Sequence, residues 1–413
     1  MRQMLLLLPT TSYRNNDFLA AAEVLNVEII SAADYCHQLA PQWGLAPIMS
    51  VQFDRPEQAG EIILRSLTRR VDAVLAVDDH GLELAALLNE RLGLNGNKPE
   101  AVRALRDKLE FRKLLSSNGY NCPEFHHLQD NTDSAALIPR LHFPVVVKAR
   151  RLSASRGVIR ADDPLQYLQA VSRVRAIQNK ADRDAKALGI IIESFIPGME
   201  YALEGILENG RLKTLALFDK PDPLDGPYFE ETVYVAPSRL PQDTQDQIRH
   251  TVQCACGIAG LTAGPVHAEM RVNSSGIWLL EIAARSIGGL CGRVLRHWLG
   301  MSIEELILRQ ALGEPLPAFS PEKSVAVMMI PIPTRGIYQG AHNLDLAVKL
   351  AGITDIQITA EIGHIVTPPP EGASYLGFIF ASGKSPQEAE SFVRSAQRYL
   401  QFDIRPEFQV IES

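Results

Sequence analysis

Residues 264–289 read GPVHAEMRVNSSGIWLLEIAARSIGG. The tetrapeptide Asn273–Gly276 is turn chemistry set between two largely apolar runs, so the stretch predicts an antiparallel hairpin. With the turn centred at Ser274 and Ser275, Glu269 falls opposite Glu281. Facing side chains in such a pair have Cβ atoms about 4.5–5.5 Å apart, and like charges there repel. A bound cation would reverse that sign, and Mg²⁺ is commonly held by one or two carboxylates together with phosphate oxygens. Period-two alternation puts Glu281, Ala283 and Arg285 on one face of the second strand, with Trp278, Leu280 and Ile282 turned to a core. An acid, a small residue and a base on one face suit a cation beside an anion. A solvated face with an ordinary Arg–Glu pair is the plain alternative. His267 shares the face of Glu269 and reads as structural.

Upstream, residues 190–205 read IIIESFIPGMEYALEG. Glu193 closes an apolar strand, Pro197–Gly198 breaks it, and Glu200 opens the next. Such a crossing leaves backbone groups free for a base edge, and a carboxylate one turn on can accept two ribose hydroxyls; a polar hairpin is the alternative. Further back, PVVVK ends at Lys148, either a snorkelling strand end or a point charge for phosphate. It leads into residues 149–158, ARRLSASRGV. Serine hydroxyls, backbone N–H groups and Arg156 can all donate to phosphate, and a solvated turn is the competing reading. Lys108 lies in a helical stretch, DKLEFRKLL, where a surface role is the default.

The rest of the chain divides into three blocks. Residues 1–97 alternate short apolar runs (MLLLLP, VEII, DAVLAVDD) with helical patterns, which predicts a small parallel α/β sheet. Asp78 and Asp79 end one of its strands, as helix caps or as contacts at the sheet's carboxyl edge. Residues 98–318 mix many strands with fewer helices and read as α+β. Residues 319–413 read as a smaller α+β lid, closed by a helix with Ser385 and Glu388 in capping-box spacing. The fold class is therefore α/β and α+β in three blocks.

Composition bounds the function. The 413 residues carry a net charge of −7, which argues against a nucleic-acid binder and makes the arginine-rich loop a local feature suited to a small anion. No apolar run approaches a membrane span, and MLLLLP is too short for a signal peptide. Five cysteines without a CxxC pair fit a reduced cytoplasm.

Taken in order, RDK, PVVVK, SASRGV, ESFIPGMEY, GPVHAE and EIAARSIGG resemble the ATP-grasp superfamily, in its carboxylate–amine ligase branch and similar to bacterial L-amino-acid ligases. The likeness runs from about Lys98 to Gly313, and the outer blocks look like the family's N-terminal domain and lid. It implies ATP and Mg²⁺ (or Mn²⁺) as cofactors, with small carboxylate and amine substrates. Lys108, Lys148 and the loop residues Ser153, Ser155, Arg156 and Gly157 would meet the phosphates. Glu193, Ser194 and Ile196 would lie at adenine, Glu200 at ribose, and Glu269 and Glu281 at the metal. Arg285 would stabilise the acyl-phosphate, and Gly288–Gly289 would admit a substrate carboxylate. Glu231 and Tyr234, in PYFEETVY, match positions facing the amino-acid substrate. Three departures stand out: Ala154 where family loops carry more glycine, Ala283 where the family often has a metal-binding Asn, and Tyr234 in place of a frequent His. The reaction implied is ligation through an acyl-phosphate with release of ADP and phosphate. The rival readings are a biotin-carboxylase-like or purine-pathway enzyme of the same fold, and a nucleotide-binding module without catalysis. Neither nucleic acid nor membrane is expected as a partner, and the oligomeric state, monomer or homodimer, stays open.

Overall fold

The computed structural model describes residues 2–10, 12–34, 49–181, 185–321 and 323–407. The first block forms a four-stranded parallel sheet ordered Met49–Ser50, Glu28–Ala33, Gln3–Leu8, Ala73–Ala76. Gln3–Leu8 is buried along its whole length. That is the pattern of an inner parallel strand covered on both faces, and it explains the unbroken apolar run. The sheet's carboxyl edge delivers Asp78, Asp79 and His80. Asp78 caps the short turn that follows, accepting from the His80 N–H at 3.0 Å.

A second, antiparallel sheet is ordered Phe125–Leu128, Ile190–Ser194, Val145–Ala149, Val158–Ala161. Helix Pro164–Ala181 covers it with Tyr167, Val171 and Val174, all buried. Its hairpin between Val145–Ala149 and Val158–Ala161 carries the SASRG loop at the tip, with Lys148 opposite Val158.

The largest sheet has eight antiparallel strands, ordered Gly276–Ala283, Gly264–Asn273, Met199–Glu208, Arg211–Lys220, Val233–Ala236, Ser324–Ile330, Gly377–Gly383, Ile353–Ile358. Its last three strands come from beyond residue 318, so one sheet joins the second and third blocks. Both faces are covered. Ala202, Ile206 and Phe218 pack with Leu8 and Phe18 of the first block, while Leu203, Leu207 and Leu217 meet Ile248 and Val252 of helix Gln242–Ala259. Alternate residues of one strand thus serve two cores. A three-stranded sheet of Ile365–Val366, Gly336–His342 and Gln401–Arg405 completes the fold.

The hairpin forms in the expected register, with Glu269 opposite Glu281 and Asn273 opposite Gly276. One detail of the sequence reading is corrected. A bulge beside Glu269 leaves Leu280 without a partner, since Met270 pairs with Leu279. The extra residue shifts the side-chain phase. Ile277, Leu279 and Ile282 face the core and Leu280 faces a cavity. The cap at Ser385 is also half of what the spacing suggests. Its hydroxyl accepts from the Glu388 N–H at 3.2 Å, but the Glu388 carboxylate takes the N–H of Lys384. The reciprocal box lies instead at Ser302 and Glu305.

Among the described residues, no helix is long and apolar enough to cross a membrane, and Cys122, Cys254, Cys256 and Cys291 are free thiols.

Candidate active site

Where the parallel sheet, the four-stranded antiparallel sheet and the eight-stranded sheet meet lies a cavity of about 660 Å³. Lys108, Lys148, Ser153, Ser155, Arg156, Glu193, Ser194, Ile196, Glu200, Glu231, Tyr234, Glu269, Glu281, Arg285, Gly288 and Gly289 all line it. Gly157 alone of the expected residues is absent from the wall. Its φ of +67° suits glycine, but the close approach it permits is to Ala149, whose Cβ would lie 3.0 Å from an added methyl.

At one end stand the lysines. Lys108 is not the solvated residue its helix suggested. Asp107 caps helix Lys108–Ser117, and Lys108 at its first position turns inward, donating to the Leu152 carbonyl at 2.7 Å and standing 3.5 Å from Glu281. One turn on, Arg112 is fully buried and grips both oxygens of Glu193, at 2.8 and 3.3 Å, and the Leu280 carbonyl at 2.9 Å. Lys148 meets the same carboxylate at 2.6 Å. Burial would raise the Glu193 pKa, but Arg112 and Lys148 outweigh it and hold it at about 2. Burial draws the Lys148 ammonium downward despite Glu193. Ser194 donates its N–H to the Glu124 carbonyl, and the Ile196 carbonyl accepts from Arg271, whose guanidinium lies over Phe195.

The loop sorts its arginines. Arg150 is buried and clamps Asp107 at 2.6 and 2.8 Å, Arg151 is exposed, and Arg156 faces the cavity. The Arg156 Nε is buried with no hydrogen-bond partner among the described residues, and burial lowers its pKa. Ala154 and Ser155 both sit at φ +54°. The departure from glycine at Ala154 is therefore met by backbone strain of roughly 1–2 kcal/mol per residue.

The opposed carboxylates are each met by a lysine. Lys108 stands near Glu281, and Lys220 donates to Glu269 at 3.1 Å, Glu200 at 2.5 Å and Glu231 at 2.9 Å. So their repulsion is relieved within the chain, and the bare pair of the sequence reading is corrected. Glu200 also accepts from Arg271 at 3.3 Å. Oxygens of Glu200, Glu231 and Glu269 lie within 4.8 Å of one another around the ammonium. Tyr234 donates to Glu269 at 3.2 Å. His267 bridges Glu269 and the buried Glu204, and Glu204 accepts the N–H of Ile287 at 3.1 Å. Burial lowers the imidazole pKa, but Glu204 carries it to about 9. Burial and Glu269 push Glu231 up to about 7 against the pull of Lys220, while burial would raise Glu269 but Lys220 and His267 outweigh it and hold its carboxyl well down. Oxygen ligands at Glu269 and Glu281 fit a hard divalent cation completed by phosphate and water, and Ala283 adds no ligand.

At the other end, Arg285 is oriented by Asp79 at 2.9 Å and by the Ser286 carbonyl. Asp78 and Asp79 both line the cavity, Asp79 as the partner of Arg285 and Asp78 as the cap. A Cβ at Gly288 would meet open space, but at Gly289 it would strike the Phe378 ring at 2.9 Å. Tyr13, Arg14, Met329, Ser374 and Tyr375 complete this wall.

Sequence reading missed Lys220, Arg112 and Arg271. Lys220 ends an apolar strand as Lys148 does, and that repeated pattern was the available signal. Its pairing with Glu200 follows from the hairpin of Met199–Glu208 and Arg211–Lys220 about the Asn209–Gly210 turn, with one register shift between Thr214 and Ala216.

Residues 141–294 match the ATP-grasp domain family, and residues 328–405 match L-amino acid ligase C-terminal domain 2. Carnosine synthase 1 of Gallus gallus is 29% identical over 271 residues, 61% of this chain but 28% of that protein. The chain therefore spans under a third of that relative's length. Dapdiamide A synthase of Enterobacter agglomerans is 26% identical over 331 residues, 76% of each chain. The crystal structure of an L-amino acid ligase from Bacillus licheniformis superposes with a TM-score of 0.84 at 25% identity, covering 98% of this chain and 99% of that one. The chain thus carries an ATP-grasp domain over residues 141–294 and an L-amino acid ligase C-terminal domain over residues 328–405, on a fold shared along its length with an L-amino acid ligase.

Proposed function

We propose that this chain is an ATP-dependent ligase that joins a small carboxylate, an amino acid or close relative, to an amine. The carrying observation is one cavity with an unpartnered Arg156 Nε at one side, Arg285 beside open space at Gly288 on the other, and the Glu269–Glu281 pair on the same wall. Lys108, Lys148, Arg156 and the Ser153–Ser155 backbone would cradle the ATP phosphates, with Gly157 setting the loop's closing bend. The Glu193–Ile196 segment would face adenine, and Glu200 the ribose hydroxyls. Glu269 and Glu281 would hold Mg²⁺, which when bound neutralises charge on the transferring phosphoryl group. In this reading residues 1–97 contribute Asp79 to orient Arg285, 98–318 the phosphate and cation groups, and 319–413 a covering wall.

The substrate carboxylate attacks the γ-phosphorus and the bond to ADP breaks. The amine then attacks the carbonyl carbon of the acyl-phosphate, loses a proton, and phosphate leaves. Arg285 stabilises the anion in both steps, and Glu231 and Tyr234 face the amino-acid substrate. The closed loop keeps water from the intermediate.

A screen of acid and amine pairs scored by phosphate release tests this, with chromatography of the nucleotide. ADP and phosphate are expected, and AMP with pyrophosphate would overturn the mechanism. Glu281→Ala should abolish turnover. Its partner Lys108 is 3.5 Å away and the carboxylate is partly exposed, so stability should fall by about 1 kcal/mol or less. A variant still active at limiting Mg²⁺ would remove Glu281 from the metal site.

A further inference from the structure

One segment of the third block, residues 367–375, touches the cavity at its substrate end and the phosphate loop at Gly157. Ala373, Ser374 and Tyr375 are part of its substrate-side wall. Pro370, a few residues earlier, accepts the N–H of Gly157 at 2.8 Å, at the end of the phosphate loop. Between them, Glu371 takes both arms of Arg173 at 2.6 and 2.8 Å. Arg173 belongs to helix Pro164–Ala181, which packs on the sheet that carries the loop. Its guanidinium also lies over the ring of Tyr228 and donates to the hydroxyl, and Tyr228 bridges Ile159 on the strand leaving the loop.

The segment is stiff. Gly372 donates to the Pro368 carbonyl at 3.0 Å, and a Cβ there would fall 1.7 Å from the Thr367 carbonyl oxygen. A rigid piece that contacts the substrate wall and the phosphate loop can pass a displacement from one to the other. Arg173 and Glu371 are 43% and 41% exposed, so the pair adds little to folding, yet its two-armed geometry fixes one orientation.

We propose that residues 367–375 couple occupancy of the substrate end to closure of the 153–157 loop over the nucleotide, with Arg173 and Glu371 as positioning residues. The proposal rests on the ligase reading. Without the coupling, the loop no longer closes in step with the substrates and the acyl-phosphate meets water. Water then attacks in place of the amine, phosphate leaves, and the acid is regenerated with ATP consumed and no amide formed.

The test uses the full chain, with Arg173→Gln, Glu371→Gln and the charge-exchanged pair Arg173→Glu with Glu371→Arg. Trypsin cleavage at the exposed Arg151 is followed with ADP and Mg²⁺, alone and with each of the twenty L-amino acids. In the wild type at least one amino acid should slow cleavage a further fivefold or so, the low end of coupling between two sites. The single variants should keep the protection given by nucleotide alone and lose the added part, and the exchanged pair should regain it. With an active substrate pair, phosphate should equal amide in the wild type and exceed it about twofold or more in the single variants. The proposal is overturned if no amino acid adds protection in the wild type, or if the single variants retain it. If the wild type releases no phosphate with any pair while the proteolysis pattern holds, the ligase reading fails and the coupling stands.

Discussion

Glu193 and Glu231 are both carboxyls in the cavity wall, yet one is held at about 2 and the other raised to about 7. Burial acts on both in the same direction, so the neighbours decide. Glu193 meets two cations, Arg112 and Lys148, whereas Glu231 shares the single ammonium of Lys220 with Glu200 and Glu269. If Glu231 contacts a substrate ammonium, only its ionised form can do so well. The KM for the amino acid it faces should then fall as pH rises through about 7, and Glu231→Gln should flatten that profile. Stability should move the opposite way. A carboxyl raised in the fold holds its proton more tightly than in the unfolded chain, so its contribution declines between about 4.5, the ordinary value, and about 7. Urea titrations of wild type and Glu231→Gln across that window check the sign. A KM independent of pH would detach Glu231 from the substrate. Lys148, Glu200, Glu269 and Glu281 could be read from sequence because Lys148 and Glu200 sit near strand ends, and Glu269 and Glu281 follow by counting out from the turn of one hairpin. The full Lys220 cluster could not: a local hairpin brings Glu200 to Lys220, but Glu269 joins them only through the pairing of Gly264–Asn273 with Met199–Glu208, far apart in the chain.

The hairpin at 264–283 shows the same division at the level of an element. Its turn and register follow from NSSG, but the bulge at Leu280 does not, because nothing in a period-two pattern marks an inserted residue. The bulge has a consequence for the site. It frees the Leu280 carbonyl to accept from Arg112, which anchors Glu193. The loop at 149–158 could be read as a phosphate-facing element, but three arginines in one stretch have three environments, and only packing tells them apart. Arg156→Ala should therefore slow phosphoryl transfer more than it weakens ADP binding, since contacts to the γ-phosphoryl group strengthen in the transition state. One charge-assisted bond is worth about 1.5–3 kcal/mol, or about ten- to a hundred-fold in rate. Single-turnover kinetics beside ADP titration checks this, and equal losses in both would assign Arg156 to plain binding. Trypsin should cut at Arg151 rather than at the buried Arg150.

At the scale of the molecule, the sequence divides where composition changes, but the eight-stranded sheet runs through residue 318 and ties the second and third blocks into one body. Local pattern cannot show this, because strand order is settled by which faces can be buried together. The first block is joined differently, through ion pairs of very different burial. Arg14 reaches Glu304 at 2.5 Å and the Ser286 hydroxyl at 2.6 Å, with both charged side chains about 5% exposed or less. Arg2 reaches Glu314 at 2.7 Å on the surface, where Arg2 is 51% exposed. The distances are alike, so burial should set the cost of breaking each. Glu304→Gln strands the Arg14 charge away from water and should cost about 3–5 kcal/mol. Arg2→Ala removes a contact that solvent replaces and should cost about 1 kcal/mol or less. Arg14 also lines the cavity, and its hydroxyl partner Ser286 follows Arg285 in the chain, so Glu304→Gln should lower kcat as well, while Arg2→Ala should leave it unchanged. Urea unfolding of the two variants, followed by turnover at a temperature where both remain folded, separates the effects. Equal stabilities would mean that the first block is held by its apolar contacts with the sheet, at Leu8 and Phe18, and that the buried pair serves only to orient Arg14.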